Sequence, residues 1–208
     1  MEQTIRPFLR RVDQLGSFVL AIQGAAIAAA HGLDLLGVLV ISLISATGGG
    51  IIRDVLIGAH PPEALRNAVM VTIAVAGGLL TFFAYHTVSE IPEDLLLAID
   101  AVGLSLLAVA GTEKALEYDL KGPVAVIMGG ISGVGGGTVR DVLLAQVPRV
   151  LRQDFVASSA LIGAVVLVVA RHFKVPPGWA AVMGGITCCV LRVTSELMHW
   201  QLPVVNTH

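Results

Sequence analysis

Long apolar runs separated by short polar breaks dominate the pattern of this chain. The runs are continuous and do not alternate apolar with polar residues, which is typical of membrane helices and not of barrel strands. A helix of about 20 apolar residues crosses the hydrocarbon core of a bilayer. The pattern predicts seven helical spans, which are Leu15–Ala30, Leu35–Thr47, Ala68–Tyr85, Leu95–Thr112, Val124–Val134, Phe155–Ala170 and Trp179–Leu197.

An all-α integral membrane protein is therefore the predicted fold class, with residues 1–208 forming a single membrane domain. Hydrophobic residues make up 55% of the chain and charged residues 13%, whereas a soluble domain carries about 25% charged residues. This composition excludes a disordered chain and an ordinary soluble enzyme. Thirteen Lys and Arg against fifteen Asp and Glu give a net charge of −2, so there is no basic surface for nucleic acid.

The residues predict no catalytic, cofactor or metal site. The six histidines are scattered without the spacing of metal ligands. Cys188 and Cys189 are adjacent inside the last span and are interpreted as small apolar residues. Neighbouring spans contain no Ser/His or paired-Asp constellation, which argues against an intramembrane enzyme.

The chain contains an internal repeat. A shift of 87 positions aligns residues 13–61 with residues 100–148 without a gap, and 17 of the 49 positions are identical. Charged and proline positions are among the matches, so a shared apolar composition does not explain them. The densest matches are the glycine triplets Gly48-Gly49-Gly50 and Gly135-Gly136-Gly137, the segments Arg53-Asp54-Val55-Leu56 and Arg140-Asp141-Val142-Leu143, and the pair Pro61 and Pro148.

Each copy of the repeat holds three predicted spans. Because three is odd, the second copy must enter the membrane from the side opposite to the first, which makes an inverted-topology repeat. The predicted organisation is a first three-helix unit over 13–86, a second over 100–171 with its first helix beginning near 95, and a seventh helix over 178–198.

Glycine triplets interrupt the second and fifth predicted helices. Only 13 residues of the second predicted span precede its glycine triplet. They form about 20 Å of helix, whereas the hydrocarbon core is about 30 Å thick. Short, glycine-interrupted segments at equivalent positions of two inverted halves indicate a site near the bilayer midplane. We therefore expect helices 2 and 5 to be broken at the triplets, with unwound carbonyls available to a cation.

Charged and hydroxyl side chains lie close to the predicted breaks. A charge inside the bilayer needs a partner or water, and inverted symmetry allows the cross-pairs Arg53 with Asp141 and Arg140 with Asp54, or pairs within each repeat. Solvated charges at the membrane surface are the alternative. Lys114 has no charged counterpart in the first copy, which suggests a gate or an interfacial anchor. The polar candidates for lining a site are Ser45, Thr47, Ser132 and Thr138.

Two copies of Gly-Gly-Gly-x-x-Arg-Asp-Val-Leu, each in the second helix of a three-helix unit, together with a seventh helix, resemble the trimeric intracellular cation (TRIC) channel family. The prokaryotic branch of that family also carries the labels UPF0126 and glycine transporter domain. The resemblance covers roughly residues 13–197. It implies a homotrimer in the membrane lipid with a separate pore in each protomer, lined by kinked helices 2 and 5.

The resemblance further implies passive flux of potassium and, less selectively, of sodium. The kink glycines would be Gly48 to Gly50 and Gly135 to Gly137, and Lys114 falls on the helix where animal members carry basic residues linked to gating. The short stretch after Leu197 lacks the charged extension of animal members, which favours a prokaryotic protein of the cytoplasmic membrane.

A potassium-permeable channel is therefore the leading functional hypothesis. A secondary transporter of a small solute such as glycine is the alternative, because inverted repeats with broken helices are typical of transporters and helix N-termini suit a carboxylate. A purely structural membrane protein would leave the two glycine triplets unexplained.

Overall fold

The protein is α-helical throughout the residues that its computed structural model describes, which are 2–85, 93–152, 155–198 and 200. Residue 86, the predicted end of the first repeat, lies outside them. Within these ranges there are nine helices and no strand: α1 (Glu2–Ala30), α2 (Leu35–Leu56), α3 (Glu63–Arg66), α4 (Ala68–Phe83), α5 (Glu93–Glu117), α6 (Gly122–Leu143), α7 (Arg149–Arg152), α8 (Val156–His172) and α9 (Pro177–Leu197).

Each predicted span overlaps one of the longer helices, and the four-residue helices α3 and α7 were not predicted. Residues 10–30 of α1 and the whole of α2, α6 and α9 are long and apolar enough to cross a membrane. Helices α4 and α8 are apolar but shorter, with 16 and 17 residues. The described part of the chain is therefore a multi-pass membrane protein.

Helices α2 and α6 continue through their glycine triplets, so the predicted breaks are not observed. Both helices have 22 residues, or about 33 Å at 1.5 Å per residue, which is enough to cross the hydrocarbon core. An unwound segment would leave backbone groups without hydrogen-bond partners in lipid, which costs several kcal/mol per group. That cost exceeds the roughly 1 kcal/mol by which each glycine weakens a helix.

The glycines instead let α2 and α6 cross in backbone contact. Gly48 and Gly49 meet Gly136 and Gly135, and a Cβ placed on Gly135 would lie 2.9 Å from the Cα of Gly49. A Cβ on Gly49 would overlap the carbonyl oxygen of Ser132. The contacts progress in opposite directions along the two helices, so α2 and α6 are antiparallel.

The other five of the longer helices that the structure describes surround this crossing. Helix α1 packs on α2, α4 and α5, while α5 packs on α6, α8 and α9. Small residues fill these contacts, as expected where helices gain little from excluding water and must approach closely. Ser42 illustrates the packing, because its Oγ donates to the carbonyl of Ala21 on α1 or of Ala74 on α4, at 3.0 and 2.9 Å.

Large apolar side chains point outward from the bundle. They include Leu36, Leu80, Ile127, Val165 and Ile186, each exposed at between 46% and 70% of its surface. Small residues inside and large apolar residues outside are the distribution expected of a protein whose solvent is lipid.

Alanine at the crossing glycines tests this packing. Gly49→Ala or Gly136→Ala places a methyl group on a carbonyl oxygen of the facing helix, and overpacking of this kind costs about 1–3 kcal/mol. For a protein of this size that loss corresponds to a fall in Tm of roughly 2–10 °C. The measurement is thermal unfolding of the detergent-purified protein.

Gly50→Ala is the matched control, because the nearest atom to its new Cβ is the Arg53 Nη2 at 3.7 Å. The control should keep or raise Tm, since alanine favours a helix over glycine by about 1 kcal/mol. Equal losses in all three variants would contradict the proposed crossing.

Candidate functional site

Two buried ion pairs lie beyond the glycine crossing, one near the C-terminal end of each crossing helix. Arg53 Nε is 2.9 Å from Asp54 Oδ1, and Arg140 Nη2 is 2.7 Å from Asp141 Oδ1. All four residues are at most 4% exposed, so the alternative of solvated charges does not hold. The cross-pairs between repeats are not formed among the described residues, and each arginine pairs with its neighbour in the chain.

The arginines nevertheless join the helices, through neutral partners. Arg53 Nη1 donates to Ser132 Oγ on α6 at 3.2 Å. Arg140 Nη1 donates to Gln23 Oε1 on α1 at 3.3 Å. A carboxylate beside each guanidinium supplies the charge compensation, so a hydroxyl or amide is sufficient for the inter-helix contact.

The aspartates hold the segments that follow α2 and α6. The second carboxylate oxygen of Asp54 accepts a hydrogen bond from the backbone N–H of Glu63, and that of Asp141 accepts one from the N–H of Arg149, both at 2.9 Å. These N–H groups belong to the first residues of α3 and α7. Each Arg-Asp pair therefore fastens a crossing helix to the short helix behind it.

A cavity of about 640 Å³, which we call the first cavity, opens beside the Arg53-Asp54 pair. Four basic and four acidic side chains line it, so its charged groups balance. The basic residues are Arg10, Arg53, Arg66 and Lys114, and the acidic residues are Asp13, Asp54, Glu63 and Glu117.

Lys114, the predicted gate residue, lies in the first cavity. Its Nζ is 2.9 Å from the Asp54 carboxylate and 3.1 Å from Glu63 Oε2, so it links α5 to α2 and α3. Its neighbour Glu113 points elsewhere, toward Arg171 on α8, with 3.6 Å between Oε1 and Nε. Lys114 therefore connects three of the helices that line the first cavity.

A second cavity, of about 40 Å³, lies beside the Arg140-Asp141 pair. Its lining includes Asp100, Arg140 and Asp141, which stand 87 positions after three residues of the first cavity. Because α2 and α6 are antiparallel, the two cavities lie at opposite ends of the crossing. The second cavity is also lined by Gln23, Thr138, Arg149 and Arg192.

The predicted hydroxyl residues separate into two kinds. Thr47 and Thr138 donate to carbonyls of their own helices, those of Leu43 and Val134, as threonines in membrane helices commonly do. Ser132 accepts the Arg53 hydrogen bond. Its repeat counterpart Ser45 is buried against Gly24 on α1, and its Oγ has no hydrogen-bond partner among the described residues.

Three residues of the site were not predicted from the sequence. Gln23 faces an alanine in the repeat alignment, Glu63 follows the proline segment after α2, and Arg192 lies in a span outside the repeat. A charged residue in an apolar span is a signal in itself, which would have identified Arg192. The described residues contain no group of His, Cys, Asp or Glu arranged to hold a metal ion.

Comparison with known proteins returns one membrane family. The model of a family described as "Glycine transporter" matches the chain twice, over residues 11–86 and 97–172. The UPF0126 inner membrane protein YadS of Escherichia coli K12 is 34% identical over 193 residues, which cover 92% of this chain and 93% of that protein.

Solved structures with the same fold are TRIC channels. One, from a study of conductance through TRIC cation channels, has a TM-score of 0.89 and 34% identity, and covers 96% of this chain and 98% of its own. The TRIC channel orthologue of Rhodobacter sphaeroides has a TM-score of 0.86 and 30% identity, and covers 93% of this chain and 99% of its own.

Removing one charge from a buried pair should destabilise the protein. Asp54→Asn leaves the buried Arg53 without its closest carboxylate and weakens the links to Lys114 and α3, so we expect a loss of about 3–5 kcal/mol in the free energy of unfolding. The double variant R53Q/D54N should lose less than the sum of the single variants, because no lone charge remains. Chemical unfolding in detergent measures the free energy of unfolding of Asp54→Asn, Arg53→Gln and the double variant.

Arg10→Gln serves as the control, since Arg10 is 54% exposed and 3.8 Å from Glu63. An exposed pair of this kind contributes about 0–1 kcal/mol. Strict additivity of the R53Q and D54N effects would show that the two side chains do not act as a pair.

Proposed function

We propose that this chain, which belongs to the UPF0126 family of membrane proteins and shares the fold of the TRIC channels, is a potassium-permeable channel for monovalent cations. The likeness to solved cation channels at 30–34% identity over almost the whole chain supports a cation channel. Passage of potassium and, less selectively, of sodium is the specific form that we propose. The channel acts as a homotrimer in the cell membrane, with one pore in each protomer and seven helices crossing the lipid.

The observation that carries this proposal is the pair of polar cavities at the two ends of one glycine crossing. Each cavity is lined by one buried Arg-Asp pair, that of α2 in the first cavity and that of α6 in the second. Where these helices touch between the cavities, glycine backbones meet, with Ile44 and Ile52 beside them. A route of this kind is polar at both ends and offers backbone carbonyls at its centre, which suits an ion that sheds part of its water.

The glycines act as hinges in the proposed mechanism. The backbones of α2 and α6 touch at the crossing, so the arrangement corresponds to a closed form. Conduction requires α2 and α6 to bend or part at Gly48 to Gly50 and at Gly135 to Gly137, where the absence of side chains permits movement. Carbonyl oxygens and the hydroxyls of Ser45, Thr47, Ser132 and Thr138 then line the path of the ion.

Recordings from purified protein in planar bilayers under a potassium chloride gradient test the channel. We expect discrete openings that reverse near the potassium equilibrium potential. Gly49→Ala and Gly136→Ala should change the unitary conductance or the fraction of time spent open, because both alter the crossing. Gly178→Ala, whose new Cβ meets no atom within 4 Å, is the control.

Transport of a small solute such as glycine is the second candidate. The observation that favours it is the difference between the space of about 640 Å³ beside the Arg53-Asp54 pair and that of about 40 Å³ beside the Arg140-Asp141 pair, because transporters open to one side at a time. Uptake of labelled glycine into proteoliposomes separates the two functions. Saturable uptake without discrete openings would replace the channel with a transporter, whereas openings without uptake exclude the transporter.

Neutralising Lys114 should increase cation entry. Lys114→Gln changes the lining of the first cavity from four positive and four negative groups to three and four, which leaves an excess negative charge at the entrance. We expect the unitary potassium conductance to rise roughly twofold at low salt, because a charged cleft concentrates counter-ions.

The increase should disappear in about 1 M potassium chloride, where charges are screened over about 3 Å. Lys121→Gln removes the same charge from an exposed position that does not line the first cavity, and it should change conductance little at either concentration. A rise that persists at high salt would contradict an electrostatic role for Lys114.

A further inference from the structure

The two cavities contain equivalent residues but differ greatly in size. Asp13 and Asp100, Arg53 and Arg140, and Asp54 and Asp141 occupy matching positions of the repeat. The first cavity nevertheless holds about 640 Å³ and the second about 40 Å³. The second cavity shares Arg149 with a further cavity of about 420 Å³ at the same end of the crossing. The narrow part is therefore the space directly beside the Arg140-Asp141 pair, and its lining includes a residue without a counterpart in the first half.

Arg192 is such a residue, because α9 lies outside the repeat. Its side chain lines the second cavity, and the residue is only 2% exposed. Its Nε lies 3.6 Å from Asp100 Oδ2 and makes no hydrogen bond within the described structure. For Asp13, the counterpart of Asp100, the ion-pair partner among the described residues is Arg53 at 3.8 Å, with no arginine from outside the repeat.

A chain of polar contacts extends from Arg192 across the second cavity. Asp100 Oδ1 accepts a hydrogen bond of 2.6 Å from Gln23 Nε2, and Gln23 Oε1 accepts one of 3.3 Å from Arg140. These contacts join α9, α5, α1 and α6 over the end of the crossing. Arg192 thus completes a cover over the second cavity, and the first cavity has no such cover among the residues that the structure describes.

Arg192 has a second partner on the same helix. Its Nη1 donates to Glu196 Oε2 at 2.6 Å, and the Glu196 side chain is 36% exposed. The guanidinium can therefore leave Asp100 and remain paired. The departure loses no hydrogen bond at Nε, and it frees the Nε from a buried position in which it is unsatisfied, a state that is itself unfavourable.

We propose that Arg192 is the removable plug of the second cavity. While it faces Asp100, the cavity stays closed. When it turns to Glu196 alone, Asp100 keeps its hydrogen bond from Gln23 but has lost its neighbouring positive charge, so its carboxylate attracts cations. The effect on ion flow rests on the proposed channel function, whereas the opening of the cavity does not.

Access to Thr138, which lines the second cavity, measures opening without any current. In a C188A/C189A background, Thr138→Cys is labelled with a membrane-impermeant thiol reagent that reaches both faces of permeabilised proteoliposomes. Arg192→Gln should raise the labelling rate roughly fivefold or more, the usual size of a coupling between two states. Arg192→Lys, which keeps the charge, should restore slow labelling at least in part.

Arg171→Gln is the matched control, because Arg171 also lies 3.6 Å from a carboxylate, that of Glu113, and lines neither cavity. It should leave labelling of Cys at position 138 unchanged. Size-exclusion profiles and helical circular dichroism establish that each variant is folded. Unchanged labelling in R192Q, or an equal rise in R171Q, overturns the plug.

Bilayer recordings of the same variants separate this inference from the proposed function. A roughly fivefold rise in open probability in R192Q, together with faster labelling, supports both. Faster labelling with no potassium current in any variant, the unsubstituted protein included, keeps the plug and rejects the channel. Faster labelling with normal currents and an unchanged open probability overturns a role of Arg192 in controlling flow.

Discussion

The need to compensate charge inside a low-dielectric bundle governs this structure. Burying a lone guanidinium or carboxylate costs several kcal/mol, and a pair is tolerated only when further hydrogen bonds satisfy both groups. Arg53-Asp54 and Arg140-Asp141 meet this condition by combining a contact between chain neighbours with links to a facing helix and to the short helix behind. Both cavities form around these two pairs, so the polar interior of the protein depends on them.

Two basic residues without a charged counterpart in the other half make the two ends of the symmetric frame differ. Lys114 bridges Asp54 and Glu63 at the edge of the first cavity, which stays open. Arg192 of α9 lines the second cavity and lies beside Asp100, and this cavity is nearly closed. Single residues that lack an equivalent in the other half are enough to give the two ends of an inverted repeat different surroundings.

The sequence predicts which residues form the candidate site, but the structure of its centre differs from the prediction. The repeat, the glycine triplets and the Arg-Asp pairs are visible in the alignment of the two halves, and the triplets do lie where the halves meet. The glycine triplets predict breaks in α2 and α6, because helix propensity considers one helix at a time. The helices stay intact, since lipid penalises unpaired backbone groups and the missing side chains are used for close contact between helices.

The sequence by itself determined that lipid surrounds the protein and which polar residues each half contributes to the candidate site. Its low charge content and continuous apolar runs predict a membrane protein, and its repeated motif marks the polar positions of each half. Tertiary structure alone decided the partners: Arg53 with Asp54 instead of Asp141, Arg140 with Gln23, and Arg192 with Asp100. A linear pattern records which side chains need compensation, but the distances that select among possible partners exist only after the helices have packed.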